Sequence, residues 1–116
     1  MQIAILGSTG LKTKMLRYRE QLIEEGHEVK LPAFDSHPEF DELQICEYNR
    51  DIIKWADRID IFWDARSIGF IFDFGMIFMA NKPVKVIYLE KKTIVGVLTK
   101  YERKCNEHQI FMEKNI

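Results

Sequence analysis

Ile59–Val86, IDIFWDARSIGFIFDFGMIFMANKPVKV, decides the fold. IDIFW is a short apolar run of β-forming residues and predicts a strand. ARSIG breaks it, with Gly69 supplying backbone freedom. FIFDFGMIFMA is apolar on nearly every face, which predicts a buried helix. Asn81-Lys82-Pro83 ends that helix, because Pro cannot continue it and Asn tolerates a left-handed turn. VKVIYL predicts the next strand. Asp73 is the only charge between Arg66 and Lys82. An ionised carboxylate in an apolar helix is costly unless it is paired, hydrogen-bonded or facing a cavity. Two readings stand. Asp73 faces a ligand crevice at the carboxyl ends of the strands, or first-turn N–H groups and the helix dipole stabilise it.

Working outward, QIAIL (Gln2–Leu6) predicts the first strand, and Gly7-Ser8-Thr9-Gly10 follows at once. A helical pattern comes next, with Leu11, Met15, Leu22 and Ile23 on one face and Gly26 as its stop. A strand, a Gly-rich turn and a helix in that order suit an anion. The G-S-T-G spacing is neither a dinucleotide fingerprint nor a P-loop, and it reads equally as a tight structural turn. His27–Leu31 alternates like a strand, and Pro32 to Asp35 is a loop. Ser36-His37-Pro38-Glu39 resembles a capping box with an early Pro, predicting a helix to about Asp57. Ile45, Tyr48, Ile52 and Trp55-Ala56 would form its buried stripe; Tyr48 and Asn49 are alternatively ligand contacts. Beyond Leu89, Glu90-Lys91-Lys92 reads as a loop and Thr93 as the cap of a last helix, about Ile94 to Cys105. Gln109–Met112 reads as a final short strand, and Ile94–Leu98 reads equally as a strand. Strands alternating with helices predict an α/β, doubly wound, mostly parallel sheet of about five strands in the order 2-1-3-4-5, flavodoxin- or Rossmann-like.

The totals limit the function classes. A chain of 116 residues suits one domain, 1–116, able to hold its own core. Seventeen basic and eighteen acidic residues give a net charge of −1, so neither a nucleic-acid footprint nor a polybasic membrane patch is implied. The Lys100–Lys104 cluster reads as a solvated helix face. Cys46 and Cys105 are far apart, and His27, His37 and His108 are isolated, so no metal site is expected. Neither a signal-peptide pattern nor a run of transmembrane length is present, which suggests a cytoplasmic protein.

The central stretch resembles the nucleoside 2-deoxyribosyltransferase superfamily, nearest in motif to its 2′-deoxynucleoside 5′-phosphate N-hydrolases. Those proteins show an apolar strand after A-D, a loop S-x-G or D-x-G, and a helix E-x-G-x-A-x-x-x-x-K-P-V. The corresponding residues are Ala56-Asp57, Ile59–Trp63, Ser67-Ile68-Gly69, Asp73-Phe74-Gly75 and Asn81-Lys82-Pro83-Val84. Gly7-Ser8 and the Glu24–Val29 segment, EEGHEV, also match the family's manner. The likeness in layout covers roughly the first 90 residues.

The resemblance implies cleavage or transfer of the N-glycosidic bond of a 2′-deoxynucleoside or deoxynucleotide. A helix carboxylate attacks the anomeric carbon, as in retaining glycosidases. Asp73 stands where the family has Glu, its carboxylate one methylene shorter, and a displacement of about 1 Å can cost on the order of 100-fold. Asp64 contacts sugar or base or acts as general acid, or else caps its loop. Ser67, Gly69 and the helix-opening amides would form an anion nest for a 5′-phosphate. Arg66 would add charge, or is a solvated loop arginine. Ser8 beside Gly7 would touch phosphate or base. The family needs no metal or redox cofactor and often forms homodimers in which a neighbour contributes to the site. The alternative is a protein of the same fold that binds a nucleotide or its derivative without chemistry. A flavodoxin-like module for another phosphate ligand is a third, weaker reading.

Overall fold

The computed structural model describes residues 1–34, 37–90 and 94–114, with side chains to 107. The predicted caps Ser36 and Thr93, and Lys91-Lys92, lie outside the described residues. Four strands, β1 (Gln2–Gly7), β2 (Glu28–Lys30), β3 (Arg58–Trp63) and β4 (Val84–Leu89), form one parallel sheet in the order β2-β1-β3-β4. The helices are α1 (Lys12–Glu24), α2 (Glu42–Trp55), α3 (Ile68–Met79) and α4 (Ile94–Lys114). The α/β class and the strand order of the first four strands agree with the sequence reading.

Both faces of the central strands are covered, which is why β1 is apolar without alternation, while in β3 the buried Asp60 is paired with Arg58 and accepts from the Tyr18 hydroxyl. Ile3, Ile5 and Phe62 pack with Met15 and Leu22 of α1. Ala4, Leu6, Ile59 and Ile61 pack on the other face with Ile52 and Ile53 of α2 and Phe70 and Ile77 of α3. Gly7 is required by close approach. A Cβ there would stand 1.9 Å from the Phe62 carbonyl oxygen, the atom that accepts from the Ser8 amide at 2.9 Å. Gly26 (φ 91°) and Asn81 (φ 54°) adopt the left-handed conformation just past α1 and α3, as expected of stop residues. Lys82 donates to the carbonyls of Lys54 (3.0 Å) and Ala56 (2.7 Å), satisfying the end of α2.

Five expectations are corrected in whole or in part. Helix α2 opens at Asp41, not near Ser36. Asp41 accepts from the Gln44 amide and the Gln44 side chain accepts from the Asp41 amide, both at 2.8 Å, a reciprocal capping box. Residues 37–40 form a separate turn in which His37 stacks on Phe40. The inward residues of α2 are Asn49, Ile52 and Ile53, with Ile45, Tyr48 and Trp55 half-buried. Gly69 lies inside α3; the positive φ of the preceding loop falls on Ala65, at 61°. Helix α3 buries only the ridge Phe70–Asp73–Ile77 and leaves Ile68, Ile71, Phe72, Phe78 and Met79 exposed. No fifth strand occurs among the described residues: Gln109–Met112 continues α4, because no Gly or Pro interrupts the helix-forming run after Gly96. Among the described residues no helix is long and apolar enough to cross a membrane.

Candidate functional site

The strand order reverses between β1 and β3, and a crevice opens at the carboxyl ends of these strands, the usual ligand position in open α/β sheets. It has a volume of about 170 Å³. Gly7 and Thr9 line it from the end of β1, and Pro32 to Phe34 from the end of β2. Ile45, Cys46 and Asn49 line it from α2, and Ser67, Gly69, Phe70, Phe72 and Asp73 from the start of α3.

Asp73 is 8% exposed. It is the sixth residue of α3, a full turn past the amides that could have stabilised it, so the helix-dipole reading does not describe it. Burial pushes its carboxyl up to about 6, against a smaller lowering by Asn49. Asn49 Nδ2 donates to both carboxylate oxygens, at 3.5 and 3.4 Å, and Asn49 Oδ1 accepts from the Ala33 amide at 3.0 Å. The amide-pinned Asn49 therefore presents its NH₂ to the carboxylate. Catalytic hydrogen bonds are often long until ligand binds. The sequence offered Asn49 as a possible ligand contact beside Tyr48, but not its hold on Asp73.

Asp64 has a different environment. Its Oδ1 accepts from Ser8 Oγ (2.9 Å) and from the amides of Arg66 (2.8 Å) and Ser67 (2.9 Å). Ser8 Oγ in turn accepts from the Asp64 amide at 3.1 Å. Burial raises the Asp64 carboxyl, but the donors, Arg66 and Ser67 first, outweigh burial and hold it below the usual carboxylate range. A carboxylate held ionised near neutral pH has no proton to donate, so this geometry favours the loop-capping role over the general acid. It also modifies the expected nest. The Arg66 and Ser67 amides serve Asp64, and Ser67 Oγ accepts from the Phe70 amide at 3.3 Å. The helix-opening amides of Ile68 and Gly69 remain for a ligand.

Gly7, Ser67, Gly69 and Asp73 thus come together around one crevice. Ser8 is buried beneath it as the link between the β1 and β3 loops. Arg66 is exposed and borders α4 rather than the crevice. Sequence reasoning missed the β2–α2 wall, Pro32 to Phe34 with Cys46, because loop residues and a lone thiol carry no pattern of their own. No group of three or more His, Cys, Asp or Glu among the described residues is arranged to hold a metal ion. No family model, no curated protein and no solved structure matches this chain.

Proposed function

We propose that the crevice binds a 2′-deoxynucleoside or deoxynucleotide and that Asp73 cleaves or transfers its N-glycosidic bond. The observation that carries this reading is a buried carboxylate, pinned by Asn49 and shifted to about 6, at the switch point of a parallel sheet. The motif resemblance of Ser67 to Val84 supplies the substrate class. The volume of about 170 Å³ lies below the roughly 300–1,000 Å³ of drug-sized ligand sites. It suits a sugar ring, with the base and any 5′-phosphate at the rim beside the Ile68 and Gly69 amides.

In the first step an Asp73 oxygen bonds to the anomeric carbon as the carbon–nitrogen bond breaks. The base leaves with that electron pair and takes its proton from solvent. In the second step water, or the nitrogen of another base, attacks the same carbon, loses a proton and releases Asp73 as carboxylate. Ionised Asp73 is the competent form, and a carboxyl near 6 is mostly ionised at pH 7.

One observation favours binding without chemistry: among the described residues, Asp73 is the only carboxylate lining the crevice. Liquid chromatography of a panel of deoxynucleosides and their monophosphates, with and without a second free base, separates the readings. Base release by wild type that is lost in Asp73→Asn is the expected result. Thermal stabilisation by a panel member with no release would establish the binding reading instead.

A further inference from the structure

Two apolar surfaces of this chain are uncovered. The first is a groove between α3 and β4, lined by Ile61, Trp63, Phe70, Ile71, Phe74, Val86 and Leu89, all apolar, with a volume of about 270 Å³. Helix α3 packs toward α2 and β1 and leaves the outer strand bare, so Val84, Val86 and Leu89 are exposed. The second is the start of α4. Ile94, Val97, Leu98 and Tyr101 are all exposed and stand at i, i+3, i+4 and i+7, the anchor spacing of a helix that lies in an apolar groove. Near its start α4 faces the Ala65–Arg66 loop across a shared pocket.

The dimensions show how much surface is unpartnered. The chain exposes 8365 Å², about 1,700 Å² more than the roughly 6,600 Å² expected of a 13.8 kDa monomer. Its radius of gyration is 19.3 Å, against about 13 Å for a folded chain of this length. Helix α4, at 21 residues about 31 Å long, is absent from the closely packed pairs of elements, and the longest extent of the chain is 65 Å. An excess of that size on each chain falls in the range of obligate homodimers, roughly 2,000–5,000 Å² in total.

We propose that α4 is an exchanged arm. The first three turns of α4 lie in the α3–β4 groove of a second copy of this chain, whose own α4 returns the contact across a two-fold axis. A reciprocal exchange closes, because each copy offers one arm and one groove. It covers the apolar side of α4 and leaves Lys100, Glu102, Arg103 and Lys104 in water. This inference goes beyond the glycosidic reading and does not depend on it.

Sedimentation velocity of the full chain at tens of micromolar is expected to give a dimer. Val97→Glu with Leu98→Glu on the arm, and separately Phe74→Glu in the groove, are expected to give monomers with unchanged circular dichroism. A monomeric wild type, or a dimer that survives both sets of changes, overturns the proposal. Cross-linking identifies the occupant. In a Cys46→Ser, Cys105→Ser background, differently tagged copies carrying Val86→Cys or Leu98→Cys are mixed and treated with a bis-maleimide. Cross-links between the two tags are expected. No cross-link between tags, with closure only inside a chain carrying both cysteines, would mean that α4 folds onto its own groove and would overturn the exchange.

Discussion

Burial among apolar side chains lifts the Asp73 carboxyl to about 6, and the proton is therefore held more tightly in the folded chain than in the unfolded one. The consequence for stability follows from linkage. The contribution of protonated Asp73 is fully present below the unfolded value near 3.8 and is lost as pH rises through about 6. The difference between these two values corresponds to about 3 kcal/mol at most. Asp73→Asn should raise the melting temperature by several degrees at pH 8 and by little at pH 4, which thermal melts at the two pH values would show. A gain in stability paired with lost base release marks a residue kept for function. Asn49→Ala should act in the opposite sense. It removes the group that lowers the Asp73 carboxyl and leaves the Ala33 amide without its partner, at about 1–3 kcal/mol. The acid limb of any activity should then move above 6. Asp73 was legible as the lone charge of an apolar run, whereas the hold of Asn49 on it spans 24 positions and no local pattern encodes that contact.

At the scale of elements, Gly7 and Gly69 respond differently to the same change. Gly7→Ala places a methyl against the Phe62 carbonyl and forces β1 from β3, so loss of the folded state is expected in denaturant titration. At Gly69 a Cβ meets nothing closer than 3.8 Å, from Ser67 Oγ. Gly69→Ala should therefore hold or raise stability, by up to about 1 kcal/mol from helix propensity, while weakening any ligand that uses the crevice rim. Titration calorimetry with the best member of the nucleotide panel would check the second half. Strands β1 and β3, and the ends of α1 and α3, were legible because apolar runs meet Gly26, Asn81 and Pro83. The start of α2 was not, since Ser36-His37-Pro38-Glu39 and Asp41-Glu42-Leu43-Gln44 both fit a cap, and which one forms depends on reciprocal bonds at Asp41. Helix α3 read as buried because composition reports how apolar a helix is, not which neighbour covers it.

For the whole molecule, the sheet order and the crevice follow from right-handed parallel crossovers, which strand spacing already implied. The fifth strand was read from the short apolar runs at Gln109–Met112 and Ile94–Leu98, and the continuous helix of α4 replaces it among the described residues. If α4 is exchanged between copies, the melting temperature should rise with protein concentration by mass action, and Val97→Glu with Leu98→Glu should remove that dependence. The central claim concerns the crevice, and the pH profile of base release tests it most directly. Wild type should release base at a rate that climbs with pH and levels off above about 6, and Asp73→Asn should release none at any pH. A rate that is flat from pH 4.5 to 8, or release that survives in Asp73→Asn, would contradict the assignment of Asp73 as the nucleophile.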